Sequence, residues 1–439
     1  MMLTTGHQAE GSDGAVPVAV VDAASTRTTS AARPSPLPAL TGMRFVAAVH
    51  VVLFHYAGEA LAGTHWAIRA LIASGPSAVS LFFILSGAVL VYSCADEDGA
   101  LRSSPRVFWR ARFARIYPLY LFALLLDAPF FVSALLKAHD GAAVGVSGIG
   151  LALPALLLVH GWTAVTVFAW NIPGWSLSAE AFFYALFPAL VHRLRTSTLA
   201  GALRRGSVFY VLAILPPLVV TAVQMAQLLP DGAAPAAGGL SAETWLVRFA
   251  GFSPIARLPE FLIGICLGHW LRSRRRGGSW SMGAAVSAEA GAIALLCAAW
   301  VALGATPAAS KIWLDSGLLS PLFVLLIAVF AIGGGPVARV LSTGPLLVLG
   351  DASYALYILQ EPVVIWAAKI PEIGTLPAPA FITVFVLLLV AASVACQRLV
   401  AEPARAWLLA RLPATARAGA AARPRRSYEN DIRVVSERS

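Results

Sequence analysis

The sequence predicts an all-α, polytopic membrane bundle of about ten transmembrane helices, and three observations carry that prediction. Apolar stretches of ~20 residues recur along most of the chain, each long enough to cross the hydrocarbon core of a bilayer. Hydrophobic residues make up 58% of the 439 positions and charged ones only 12%, against roughly 25% charged in a soluble domain. The arginines gather in short loops and in the tail after Pro403, where the positive-inside bias puts them. The formal charge of +10 is therefore a topology signal. No aromatic-rich basic domain accompanies it, so nucleic acid is excluded as a partner and the lipid bilayer is the expected one. Cys94, Cys266, Cys297 and Cys396 are scattered through apolar segments without a CxxC pair. They predict neither a metal site nor a disulfide.

Residues 1–37 are rich in Ala, Ser, Thr, Gly and Pro and read as a disordered lead. They lack the charged region and apolar core of a cleaved signal peptide. A membrane domain is expected over 38–412, followed by a basic disordered tail over 413–439. Eleven apolar segments lie within the domain, at roughly 42–60, 77–94, 114–136, 151–168, 175–192, 208–229, 254–272, 283–304, 314–333, 345–368 and 378–400. Basic clusters follow the second (Arg102, Arg106, Arg110, Arg112, Arg115), the fifth (Arg193, Arg195, Arg204, Arg205) and the seventh (Arg272, Arg274, Arg275, Arg276). With the basic tail, these predict cytoplasmic loops and two cytoplasmic termini in the plasma membrane. The segments 230–244 and 371–379 lack basic residues and suit the outer side. Parity then requires an even number of crossings between Arg110 and Arg195, where three candidates stand. One of 114–136, 151–168 or 175–192 does not cross, or two form one broken passage, which leaves ten crossings.

Polar groups inside hydrocarbon are costly and mark pairs, cavities or function. In the first span Arg44 and His55 are eleven residues apart, so on a helix they lie ~20° apart around the axis and ~16 Å apart along it. His50 points ~140° away from His55. His55 suits a general base because imidazole titrates near neutrality; a packing histidine bonded to a backbone carbonyl is the bland alternative. The second span carries Phe82-Phe83-Ile84-Leu85-Ser86-Gly87, whose small residues allow a helix or a ligand to approach. Arg112 and Arg115, three apart, share a helical face and suit phosphate groups, which guanidinium binds bidentately. They could equally serve only to set topology.

Asn171-Ile172-Pro173-Gly174 breaks the preceding structure, and Ser176 is placed to cap the next helix. Glu180 then falls about a turn into that helix, where it needs a cation or a donor. Arg44, Arg115 and His55 are the candidates, with helix-terminus electrostatics as the plain alternative. Arg257 and Glu260 read as an intrahelical pair with a structural role. Tyr354, Tyr357 and Glu361, at i, i+3 and i+7, share one side of a late span and either line a polar pocket or anchor it at the interface.

Taken in order, these pieces resemble the membrane acyltransferase 3 family. The motifs are Arg-x10-His (Arg44, His55), Phe-Phe-x-x-Ser-Gly (Phe82, Phe83, Ser86, Gly87) and Arg-x-x-Arg before Tyr-Pro (Arg112, Arg115, Tyr117, Pro118). Trp-Ser-Leu-Ser-x-Glu (Trp175, Ser178 and Glu180 among them), Pro-Glu-Phe-x-x-Gly and a late Ser-Tyr-x-x-Tyr (Tyr354, Tyr357) complete the set, over about 40–405. Two departures stand out. Gln360 occupies a position where relatives often carry histidine, and Ala181-Phe182-Phe183-Tyr184 comes after the glutamate where a second glutamate and a glutamine are common.

The resemblance implies a ten-helix domain that moves an acyl group from acyl-CoA, acetyl or another short chain, to a hydroxyl of a sugar, glycan, lipid-linked precursor or natural product. The stand-alone form is similar to actinobacterial macrolide acyltransferases. On that reading Arg44, Arg112 and Arg115 hold the CoA phosphates, and His55 and Glu180 are catalytic. Phe82, Phe83, Ser86, Gly87, Trp175, Ser178, Tyr354 and Tyr357 would then shape the pocket or pack its helices. No metal is implied. His55 acts either as base for direct transfer or as nucleophile through an acyl-histidine. A transporter or flippase for an acidic lipid or sugar is the competing class, and acyl-CoA consumption separates the two. Neither the oligomeric state nor the identity of the acceptor can be read from the sequence.

Overall fold

The computed structural model describes residues 37–138, 142–226, 240–274, 280–305 and 311–411. The expected lead, the basic tail, Arg275, Arg276 and most of the 230–244 segment lie outside the described residues. Among the described residues the structure is helical, with one isolated bridge between Ala95 and Leu101 and no strand. Eight helical segments are long and apolar enough to span a membrane. The principal helices are α1 (Pro38–Tyr56), α2 (Ala78–Cys94), α3 (Pro105–Ala138), α4 (Ala142–Leu156), α5 (Trp175–Arg193), α6 (Leu199–Met225), α7 (Pro254–Arg274), α8 (Met282–Gly304), α9 (Ser320–Ile332), α10 (Ser353–Lys369) and α11 (Ala378–Cys396). Proline opens α1, α3 and α7, where its fixed φ and missing N–H cost a helix least.

The middle segment of the three parity candidates is the one that is not a continuous helix. The helix α4 ends at Leu156, and the chain then passes through turns and a short 3-10 piece, His160–Trp162. Leu158 and Asn171 both adopt left-handed backbone conformations, at φ 56° and 48°. Irregular backbone at membrane depth survives only where protein satisfies its polar groups, and here it does. Tyr117 and Tyr120 donate to the carbonyls of Leu156 and Ala155 at 3.1 and 2.9 Å, and the Gly161 N–H donates to Ser178 Oγ at 3.2 Å. Of the three candidates, the first and last therefore lie in continuous helices, α3 and α5. Beside the eight long segments, shorter apolar helices run over Val144–Leu156 and Gly317–Ile332.

The centre of the bundle is the α2–α7 pair. Ile84, Ala88 and Val91 on α2 and Phe261 and Ile265 on α7 are shut off from the surface. Glycines set the spacing: a Cβ on Gly87 would run into the Phe261 carbonyl, and one on Gly264 into the Ile84 carbonyl. Small residues at such a seam are what permit backbones to meet. Next to it, Arg257 and Glu260 form a buried ion pair at 3.2 Å, both side chains 1% exposed. Ser80 Oγ donates to Glu260 Oε1 at 3.0 Å, and Arg257 also donates to the Asp315 carbonyl. The Arg257 guanidinium lies over the rings of Phe83 and Trp175, 5.4 and 5.9 Å from their centroids. A pair that neutralises itself and gains further hydrogen bonds is the arrangement in which burial of two charges is tolerated. Glu289, inside α8, is buried for a different reason: it accepts from the Val337 and Ala338 N–H groups at 2.9 and 3.1 Å and so satisfies free donors at the start of the Pro336–Leu341 helix.

Candidate functional site

A cavity of about 120 Å³ opens where α1, α2, α3, α5 and α10 converge. Each helix contributes polar groups to an otherwise apolar wall: Arg44 from α1, Ser86 from α2, Arg112 and Arg115 from α3, Ser176, Glu180 and Tyr184 from α5, and Tyr354 and Tyr357 from α10. Phe82 and Phe83 supply apolar wall. Glu180 Oε1 accepts from Ser86 Oγ at 3.0 Å and from the Tyr184 hydroxyl. Tyr184 is one turn beyond Glu180 on α5, so the helix itself brings the pair together. Tyr354 donates to the Ile116 carbonyl at 2.9 Å, which ties α10 to α3 at the cavity edge. Arg112 also lies over Phe108, 5.7 Å from the ring centroid.

The charge balance of this cavity is three guanidiniums against one carboxylate, so its interior favours an anion. Arginine is the residue best matched to phosphate oxygens, through its planar fork of donors. Of the sequence-derived residues, Arg44, Arg112, Arg115, Glu180, Phe82, Phe83, Ser86, Tyr354 and Tyr357 all meet here. Three of the remaining four pack helices. Gly87 lies in the α2–α7 seam, Ser178 accepts from the Gly161 backbone, and Trp175 sits edge-on to Phe83 and Phe252, at 6.1 and 4.9 Å between centroids.

His55 is not among the residues lining that cavity. It stands at the exposed end of α1, and its Nδ1 lies 2.8 Å from Gln360 Oε1. The partner expected for Glu180 from among Arg44, Arg115 and His55 is therefore narrowed: the two arginines share its cavity and the histidine does not. His50 takes the bland role, with Nε2 2.8 Å from the Leu71 carbonyl and its ring against Trp300.

The bonds of Gln360 determine which nitrogen of His55 carries a proton. The other end of the amide, Nε2, lies 2.7 Å from the Tyr357 carbonyl. A carbonyl only accepts, so the amide NH2 must face Tyr357 and the amide oxygen must face His55. An amide oxygen also only accepts. His55 Nδ1 therefore carries hydrogen in the neutral ring, and Nε2 presents a lone pair. Gln360 is fully buried, so the amide that orients the ring is itself held fast.

A family model described as an acyltransferase domain, the acyltransferase 3 model, matches residues 37–398. The chain belongs to the acyltransferase 3 family. It is a multi-pass membrane acyltransferase. Among curated relatives of this acyltransferase, "Acyltransferase MdmB" of Streptomyces mycarofaciens is 31% identical over 333 residues, 75% of this chain and 79% of that one. "Protein 2 in picA locus" of Rhizobium radiobacter is 41% identical over 93 residues, 21% of this chain and 44% of its own length. No solved structure matches.

Three residues of the site gain little from sequence. Gln360 departs from the family's usual histidine and so receives no role there, Tyr184 receives none, and Ser176 only that of a cap. In the structure the Ser176 hydroxyl instead donates to the Pro173 carbonyl at 3.0 Å. Tyr184 does carry a signal, its i+4 spacing from Glu180. For Gln360 the only signal is an amide inside an apolar helix three residues from Tyr357, and nothing in sequence ties α10 to the far end of α1.

Proposed function

We propose that this acyltransferase moves a short acyl group, such as acetyl, from acyl-CoA to a hydroxyl of a carbohydrate, a glycan precursor or a natural product such as a macrolide. It does so as the 38–412 domain of a plasma-membrane protein with both termini cytoplasmic. The observation that carries the reading is the fixed tautomer of His55. Its Nε2 lone pair suits a base that takes the proton of an acceptor hydroxyl as the oxygen attacks the thioester carbonyl. The carbon–sulfur bond then breaks, and the proton passes from His55 to the departing thiolate.

In this reading Arg44, Arg112 and Arg115 hold the phosphates of the donor, and Glu180 keeps their side chains in register while Ser86 and Tyr184 hold Glu180. The donor's arm runs parallel to α1 past Tyr357, whose carbonyl is bonded to the amide that bonds His55. The ~16 Å between Arg44 and His55 along α1 is then the separation between phosphate site and reacting carbon.

The test is donor turnover by purified wild type and His55→Ala with a panel of acyl-CoAs and hydroxyl acceptors. Turnover by wild type that is lost in a folded His55→Ala supports the reading. Equal turnover by both overturns the role of His55. No binding or consumption of any acyl-CoA overturns the donor assignment and moves the case to a transporter. Radiolabel retained on the protein without acceptor would replace the general base by an acyl-histidine route.

A further inference from the structure

A second polar cluster lies where the turn before α5 meets α10, one residue along from the Gln360 that bonds His55, and the proposed transfer does not use it. Glu361, next to Gln360 on α10, accepts from the Ile172 N–H in the turn before α5. Asn171, in the same turn, donates to the Ile358 carbonyl of α10 at 3.2 Å. Asp127 on α3 is brought to the same place by its neighbours: the Leu126 carbonyl accepts from Trp366 Nε1 of α10 at 3.0 Å, and Phe131 stacks on Trp170 at 4.5 Å between centroids.

The cluster is rich in acceptors and poor in donors. Asp127 is 4% exposed and Asn171 1% exposed, yet Asp127 Oδ1 and Asn171 Oδ1 have no hydrogen-bond partner among the described residues. Trp170 Nε1 is an unpartnered donor beside them, again among the described residues. Neither Asp127 nor Glu361 is in an ion pair of the kind that joins Arg257 to Glu260. A buried carboxylate beside a second, half-buried one without a cation is costly, and a ligand that brings positive charge and N–H donors removes that cost. The cluster is open to entry, since Ile172 and His55 lie at its exposed edge.

We infer that the acceptor carries a protonated amine, held by Asp127 and Glu361 while its hydroxyl meets His55. This rests on His55 being the base of the proposed transfer. It names the acceptor class more narrowly than any hydroxyl compound: an amino sugar, free or attached to a larger natural product. The amide oxygen of Asn171 supplies a third acceptor for the ammonium group, and Trp170 Nε1 can donate to a neighbouring ring hydroxyl or ether of the same sugar.

The experiment uses full-length protein with an acyl-CoA that it turns over. Acceptors come in matched pairs: simple sugars and macrolides with a dimethylamino group, each beside its neutral N-oxide. The readout is the ratio of kcat/KM within each pair. A charged hydrogen bond of the usual strength predicts a preference for the amine of about tenfold or more. Asp127→Asn and Glu361→Gln, purified separately so that one folded variant suffices, should each bring the ratio toward one. Equal use of both members, acylation of neutral members alone, or variants that keep the wild-type ratio would each overturn the inference. Failure of wild type to consume any donor is a different result, and it removes the transfer reading itself.

Discussion

Replacing Gln360 by methionine tests the link between buried structure and chemistry. Methionine has nearly the volume of glutamine and an unbranched chain, so a helix interior accepts it with little repacking. It removes two hydrogen bonds, at 2.8 Å to His55 and 2.7 Å to the Tyr357 carbonyl. Only the first acts on the proposed base. A net hydrogen bond is worth about 0.5–1.5 kcal/mol, and the His55 ring then also samples the wrong tautomer and other rotamers. We expect kcat to fall by roughly tenfold, the equivalent of about 1.4 kcal/mol, with KM for the donor little changed. The assay is steady-state acyl transfer in detergent or nanodiscs, with thermal melting as the check on folding. Gln360→Glu, which keeps an oxygen facing Nδ1, should recover part of the loss. In a His55→Ala background Gln360→Met should cost nothing further, because residues that act as one unit are not additive. A Gln360→Met enzyme within twofold of wild type would refute the reasoning, and so would full additivity with His55→Ala.

Arg112→Ala and Arg115→Ala should each raise the donor KM by roughly tenfold, the loss of one charge-assisted contact, with a smaller effect on kcat; lysine should restore only part. Titration with CoA and with dephospho-CoA checks this, and equal affinity of either variant with wild type would remove that arginine from the phosphate site. Arg257→Met should destabilise the fold by about 3–5 kcal/mol by leaving Glu260 buried without its cation, whereas Arg257→Met with Glu260→Met should be closer to wild type than either single change. Melting temperatures of the three variants decide it, and a double variant as unstable as the sum of the singles would contradict a pair held mainly by mutual neutralisation.

The architecture was legible because the bilayer imposes one rule on every span, an apolar run of a set length. Loop arginines then forced the parity argument. Of the three candidates, 151–168 is the one in which the helix ends early, at Pro154, the left-handed Leu158 and the 3-10 turn at His160. Sequence could see the polar residues of that segment but not the tyrosines of α3 and the Ser178 hydroxyl that satisfy its backbone, since those arrive from other helices. The site divides the same way. Arg112 and Arg115 were legible as one face because three residues on one helix fix their relation, and Glu180 was legible as a carboxylate in need of partners. Those partners were not legible: Ser86 comes from α2, 94 positions earlier. The bond from His55 to Gln360 spans 305 positions.

The two ends of α1 give the arrangement its logic. One helix face carries a guanidinium at one end and an imidazole at the other, and the remaining helices sort charge accordingly. The guanidiniums of α3 join Arg44 around a cavity balanced by one carboxylate. Toward the other end of α1, where Gln360 of α10 bonds His55, α10 carries Glu361 and α3 carries Asp127. A single long helix that presents arginine at one depth and aspartate at another separates an anionic substrate from a cationic one more firmly than two pockets of the same sign could. Each ligand would be repelled from the other's site by the charges that bind its partner. On the proposed reading, the thioester carbon is the one place where the two substrates would meet, beside the histidine that Gln360 bonds.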